Sequence, residues 1–266
     1  MGDTHEIRLP DGRRLAYSDH GTGPAVLACH GTPDTRLQPA EMIAAAVGER
    51  LRLLTPDRPG FGRSDPLPGR TLTDWPADAA ALLDALGLDR VAVIGGSGGG
   101  PYAIATGVAL AERVSAVALL CPGIPVDAPV HGNVVPRDRD ALRERGELFA
   151  RLLRDDPAEF TRMTGHGVSE RALASLREAF GQGPDAYVED HSINDSDWAG
   201  LLPRLNRPTW IWHGAQDDNI PVAAVGWMAG RMPRAELTVL PGAGHDVSAA
   251  WPDAFAWLAG ATSGLS

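Results

Sequence analysis

Lysine is missing from this chain of 266 residues, and arginine supplies all 24 basic side chains. Without lysine no side-chain Schiff base can form, and no Walker-type phosphate loop can be built. Cysteine is nearly missing too. Cys29 and Cys121 each end an apolar run, which reads as two buried, reduced thiols rather than a disulfide or metal framework. Basic charge is in deficit, 24 residues against 34 acidic ones, so the net charge of −10 argues against nucleic acid as a partner. Residues 91–111 carry no charge and are long enough to span a bilayer. Six glycines and a proline in that stretch argue against insertion, so no membrane partner is expected. The opening "MGDTHEIRLPDGRRL" is charged throughout and lacks the apolar core of a secretory signal. The expectation is a cytoplasmic protein, in which the sequon at Asn194 never meets glycosylation machinery. There is no internal repeat, low-complexity segment or coiled-coil seam, which leaves the oligomeric state open.

What is present is a long alternation of strand-like and helix-like segments. Residues 6–20 read as two strands turned at Asp11-Gly12. Apolar runs at 25–31, 51–57, 90–96, 114–123, 208–214 and 235–244 read as six more strands. Helical windows lie at 38–48, 72–86 and 98–110, and further helices follow each of the last two strands. The runs are continuous rather than alternating, as in strands covered on both faces. Repeated β-then-α order implies an α/β fold, a mostly parallel eight-stranded sheet flanked by helices. Between Pro122 and Arg207 the strand pattern stops. Windows such as "RDALRERGELFARLLRD" and "SERALASLREAF" make this stretch helical, and it is too long for a structureless loop. The expected organisation is a core of residues 1–122 and 207–266, with a helical cap, 123–206, inserted between two core strands.

The stretch "VAVIGGSGGGPYAIA" (91–105) sets one serine, Ser97, among five glycines. A phosphate loop is excluded by the missing lysine. Gly98-Gly99-Gly100-Pro101-Tyr102-Ala103 fits a relaxed dinucleotide pattern, but the next strand ends in "LLCPG" with no acidic residue to bind a ribose. The third reading fits better. Gly95-Gly96-Ser97-Gly98-Gly99 is G-x-S-x-G between a strand and a helix, where a strained backbone holds a nucleophilic hydroxyl clear of the sheet. The following helix aims its free N–H groups and positive dipole end at the same point. Other chemistry-bearing residues fall at predicted strand ends: His30 in "LACHGTPDTR", Asp217 in "WHGAQDDNIP" and His245 in "LPGAGHDVS". Ligands bind at such ends, and the chain order serine, aspartate, histidine is the one described for α/β-hydrolases.

On "HGTP", "DRPGFGRSD", "GGSGG", "HGAQDDNIP" and "GAGH", in order and at family-like spacing, the chain resembles the α/β-hydrolase fold superfamily over nearly its whole length. The resemblance implies Ser97 as nucleophile, His245 as general base and acid, and Asp217 as the residue orienting His245. The family spacing through Gly214 and Pro221 selects Asp217 over the adjacent Asp218. It also implies an oxyanion hole of the Thr32 and Gly98 main-chain N–H groups. His30 and His213 are read as bracing loops, and Arg58, Phe61, Arg63, Ser64 and Asp65 as a structural glycine-rich loop. Arg36 is a candidate to grip a substrate carboxylate, with a salt bridge bracing the loop as the competing role. His30, Arg36, Met163, His191 and Trp198 are candidate substrate contacts, and Phe149, Phe160, His166 and Tyr187 are further candidate pocket residues. No metal site is expected, since His131, His166 and His191 lack ligand spacing. Gly165, Gly167, Gly181 and Gly183 are places where a lid could hinge.

The expected function is a cofactor-free serine hydrolase cleaving an ester, lactone or thioester of a small, largely apolar metabolite through an acyl-enzyme. Its only expected partner is that small-molecule substrate. Serine at the elbow argues against the carboxylate-nucleophile members, the haloalkane dehalogenases and epoxide hydrolases. Within the same fold the alternatives are carbon–carbon bond hydrolysis, perhydrolysis or haloperoxidation, and proline iminopeptidase-like cleavage, although the "HGGPG" marker of the last is absent. A slow or non-hydrolytic ligand-binding or biosynthetic relative is the alternative of a different kind.

Overall fold

The computed structural model describes residues 4–131, 138–164 and 169–263. Its eight strands form one sheet. They are β1 (Thr4–Arg8), β2 (Arg14–His20), β3 (Ala25–Cys29), β4 (Arg52–Pro56), β5 (Val91–Gly96), β6 (Val114–Leu120), β7 (Thr209–Gly214) and β8 (Ala235–Leu240). The order is β1-β2-β4-β3-β5-β6-β7-β8. β1 pairs antiparallel with β2, and β2 antiparallel with β4, while every other neighbouring pair is parallel. The turn between β1 and β2 places Gly12 at φ +87°, a conformation that glycine adopts without steric cost.

Both faces of the sheet are covered, as the continuous apolar runs require. On one face α1 (Ala40–Gly48) and α9 (Trp251–Ser263) bury Met42, Ala46, Phe255 and Leu258 against Val26, Ala92 and Ala118. On the other, α2 (Trp75–Ala85), α3 (Gly100–Ala109) and α8 (Val222–Ala229) bury Leu82, Ile104 and Val225 against Leu27, Val93 and Leu119. α3 lies unusually close to β5. A Cβ on Gly95 would stand 2.7 Å from Ala103 Cβ, so the glycine lets strand and helix touch where the chain turns from one to the other.

Among the described residues four α-helices lie between β6 and β7: α4 (Arg139–Asp155), α5 (Pro157–Thr164), α6 (Glu170–Ala179) and α7 (Asp185–Asn194). On α4, Leu142, Gly146, Phe149 and Leu153 are buried, which is one stripe at helical spacing. The Asp138 side chain caps the helix by accepting from the Asp140 and Ala141 N–H groups, a contribution of about 1 kcal/mol. Phe149, Phe160, Phe180 and Tyr187 pack together with Leu142 and Leu153, and Phe61 of the glycine-rich loop after β4 joins them. These helices are therefore held to one another and to the sheet end. The expected run 235–244 is strand only as far as Leu240; Pro241 and Gly242, at φ +74°, turn the chain out of the sheet. Among the described residues no helix is long and apolar enough to cross a membrane.

Candidate active site

Ser97 leaves the end of β5 at φ +49°, a left-handed conformation rare for a residue with a side chain. Its neighbours explain how this is tolerated. A Cβ on Gly99 would lie 2.7 Å from the Cys29 carbonyl carbon, and one on Gly98 would lie 2.8 Å from Thr32 Cβ. Ser97's carbonyl accepts from the Gly123 N–H at 2.8 Å, tying the turn to the segment after β6. The hydroxyl is thus presented above the sheet end, at the N-terminus of the helix that α3 completes.

Three side chains from three loops meet there. His245 Nε2 lies 2.9 Å from Ser97 Oγ, and His245 Nδ1 lies 2.8 Å from Asp217 Oδ2. The other carboxylate oxygen accepts from the Asn219 and Ile220 N–H groups, both at 2.9 Å. Burial works to raise the Asp217 pKa, but the His245 contact and the Ile220 N–H outweigh it, and the carboxyl is held below its usual value. An ionised Asp217 fixes the proton on His245 Nδ1 and leaves Nε2 to accept from the serine hydroxyl. Asp218 is exposed and takes no part. His213, fully buried, shares its Nε2 with the Ile220 carbonyl at 2.8 Å and stands 3.7 Å from Asp217 Oδ2. Burial holds its imidazole below the ordinary value, so it braces the Asp217 loop as a neutral ring.

Cys121, His213 and Asp217 bring donor atoms within 4.8 Å of one another, the only such group among the described residues. Burial pushes the Cys121 thiol up to about 12, and both other groups are already committed, to Ile220 and to His245. That donor chemistry suits a packed layer beneath Asp217 better than a metal centre.

Thr32, in the turn after β3, faces Gly98, and buried charged side chains surround it. Thr32 Oγ1 donates to Asp190 Oδ2 on α7 at 2.6 Å. Arg58 Nη2 reaches the same carboxylate oxygen at 2.5 Å, Gly31 O at 2.9 Å and Thr32 Oγ1 at 3.0 Å, while its Nη1 donates to the His30 carbonyl. Arg70 and Tyr102 each bond Asp190 Oδ1 at 2.6 Å. Asp190 is fully buried; desolvation opposes its charge, but Arg58 and Arg70 overcome that and hold its pKa far below the carboxylate range. His30 is buried in this centre, its Nε2 accepting from the Arg58 N–H at 3.1 Å, so it braces the loop, and it also lines a smaller cavity with Ser97 and His245.

Arg36 is not available to a ligand. It is 1% exposed and saturated by Asp57 at 2.8 Å and Glu178 at 2.5 Å, so the candidate carboxylate grip is instead a tie between the β3 loop and α6. The neighbouring Asp34 bonds Ser175, Thr35 and Gln38. Trp198 does not line the site either. It packs in the core beside α3 and donates its Nε1 to the Asn194 carbonyl at 3.0 Å. Met163 and His191 do line it, in a cavity of about 950 Å³ between the sheet end and α4–α7. Phe149 and Phe160 form part of its apolar wall, with Ser97 and His245 at its floor, while Tyr187 is buried behind it. Burial pulls His191 down to about 4, against the opposing pull of Asp190, so it lines the cavity as a neutral ring. His166, Gly165 and Gly167 lie outside the described residues.

Sequence reading did not find Asp190, Arg70, Tyr102 or Asn194. A signal for Asp190 exists: with Ala186 and Ile193 it occupies one apolar-spaced stripe of α7, where a carboxylate must find buried partners. Asn194 was noticed only as a sequon.

A family model described as alpha/beta hydrolase fold matches residues 24–249. The chain is 28% identical over 256 residues to 2-hydroxymuconate semialdehyde hydrolase of Pseudomonas putida, covering 89% of this chain and 86% of that protein. It is 37% identical over 167 residues to haloalkane dehalogenase 2 of Mycobacterium tuberculosis, covering 62% of this chain and 53% of that relative, about half its length. Among solved structures, a thermophilic esterase from Thermogutta terrifontis, with malate bound, aligns over 99% of this chain and 98% of its own, with a TM-score of 0.68 and 25% identity.

Proposed function

The chain belongs to the α/β-hydrolase fold family, and from that membership we propose that it is a serine hydrolase of carboxylic esters, lactones or thioesters of small, largely apolar metabolites. The observation that carries this reading is the unbroken hydrogen-bonded line Asp217–His245–Ser97, ending in a serine held at φ +49°. Ser97 Oγ attacks the substrate carbonyl as His245 Nε2 takes its proton. Asp217 keeps the proton on Nδ1 and offsets the imidazolium charge that forms. The oxyanion is held by the Thr32 and Gly98 main-chain N–H groups, in a site covered by α4–α7, which act as a cap. His245 then protonates the leaving group, and water releases the acyl group by the reverse sequence. The chemistry needs no cofactor.

The haloalkane dehalogenase similarity does not carry over as an activity. Displacing a halide from carbon requires the carboxylate nucleophile of those family members, and a serine stands in its place here. The match over most of both chains to a 2-hydroxymuconate semialdehyde hydrolase favours a second reading. In it the same three residues hydrolyse a metabolite of that semialdehyde class rather than a simple ester.

The test is intact mass after exposure to a fluorophosphonate, for wild type and Ser97→Ala in parallel, followed by a panel of short-chain p-nitrophenyl esters and 2-hydroxymuconate semialdehyde. One adduct on wild type and none on the variant is the expected result. No adduct on wild type refutes the activated serine.

A further inference from the structure

Asn194, the last residue of α7, has a carboxamide that makes no hydrogen bond among the described residues. Its Oδ1 is buried without a partner, and its Nδ2 makes no hydrogen bond to any described residue. A buried amide oxygen left unpaired is uncommon. The group is not remote from the chemistry. It lines the cavity beside Ser97 and His245, and a Cβ on Gly98 would stand 3.0 Å from Asn194 Nδ2. The amide nitrogen therefore lies against the residue whose main-chain N–H is assigned to the oxyanion.

We propose that Asn194 is a third oxyanion donor, its Nδ2–H bonding the oxygen of the carbonyl that Ser97 attacks, beside the N–H groups of Thr32 and Gly98. This assignment rests on the reading of Ser97 as nucleophile. A neutral carboxamide suits the task, because it donates without needing a proton from elsewhere and gains most as charge builds on the oxygen. It is also held still. One turn earlier on α7, Asp190 is bonded to Thr32, Arg58, Arg70 and Tyr102, so the helix and the Thr32 loop share one anchor. Two guanidinium groups flank that one carboxylate, so the anchor brings no net negative charge against the developing oxyanion. The donor thus comes from the helices between β6 and β7, whereas the other two come from the sheet.

The experiment compares wild type, Asn194→Leu and Asn194→Asp. It measures kcat and KM on p-nitrophenyl butyrate, the rate of Ser97 phosphonylation by intact mass, and the inhibition constant of a butyl trifluoromethyl ketone, whose hemiketal oxygen mimics the oxyanion. Thermal midpoints check folding, and the aspartate variant keeps the size of the native residue should the leucine one be unstable. The expected result is a fall in kcat of about 10²-fold in both variants, with KM little changed. Phosphonylation slows to match, and the ketone inhibition constant rises in step with the loss in kcat/KM. A packing role alone would not weaken the oxyanion mimic selectively. Phosphonylation and turnover within about threefold of wild type in folded variants overturn the proposal while leaving the serine hydrolase reading intact. A wild type that the fluorophosphonate does not label overturns both. Should butyrate not be turned over, the phosphonylation rate decides.

Discussion

Ser97 combines two demands that conflict. Its φ of +49° costs about 1–3 kcal/mol for a residue with a side chain, yet only that geometry lifts the hydroxyl to His245. Ser97→Ala and Ser97→Gly are both expected to lose activity by about 10³-fold or more. They separate in stability, since glycine relieves the strain and alanine retains it. The glycine variant should be the more stable by about 1 kcal/mol in chemical denaturation, and equal midpoints would remove strain from the account. His191 gives a second prediction at this scale. Its folded pKa of about 4 lies below the ordinary 6.5, so as pH falls the unfolded chain takes up the proton first. The stability it confers is full above pH 6.5 and is lost as pH falls towards 4. His191→Phe should therefore flatten the fall in thermal midpoint across that window, and parallel curves for the two proteins would refute it. The residues Ser97, Asp217 and His245 were legible in the sequence because each sits in a short, locally patterned stretch. Arg36 was not, because its partners Asp57 and Glu178 lie 21 and 142 positions away and only the fold selects them.

Among the elements, strands and helices were legible wherever composition and period agreed. β3, β5 and β6 are short apolar runs buried on both faces, and α4 shows a single apolar stripe between charged flanks. Less legible was how closely elements approach, which depends on the missing side chains of glycines. The turn from β5 into α3 is the sharpest case. Gly98→Ala introduces a methyl 2.8 Å from Thr32 Cβ, with Thr32 Oγ1 nearer still, and 3.0 Å from Asn194 Nδ2, so Thr32 must move and Asn194 is crowded. The expected outcome is a fall in kcat of about 10²-fold, as for loss of one oxyanion donor, with a lower thermal midpoint because Thr32 is tied to buried Asp190 and Arg58. Steady-state kinetics with calorimetry checks this, and an unchanged kcat would mean that the Gly98 region is free to relax.

Over the whole molecule, one buried carboxylate gathers what the chain order separates. Asp190 bonds side chains from the turn after β3, the loop after β4, the approach to α2, and α3 itself. No window of sequence contains this centre, since its members lie up to 158 positions apart, and so it was not legible beforehand. Asp190→Asn leaves Arg58 and Arg70 buried without their anion, which is expected to cost about 3–5 kcal/mol. Urea denaturation measures that loss, and a change under about 1 kcal/mol would show that the guanidiniums find other partners.

The same centre bears on how such a protein can be altered by recombination. The stretch between β6 and β7 forms much of the cavity wall, which makes it the obvious piece to exchange between relatives when a new substrate is wanted. Asp190 makes it a poor cassette, because a transplanted stretch without that carboxylate strands two arginines in the host. A graft that works must carry Thr32, Arg58, Arg70 and Tyr102 with it, so the inheritable unit of specificity here is a set of scattered positions rather than a contiguous segment.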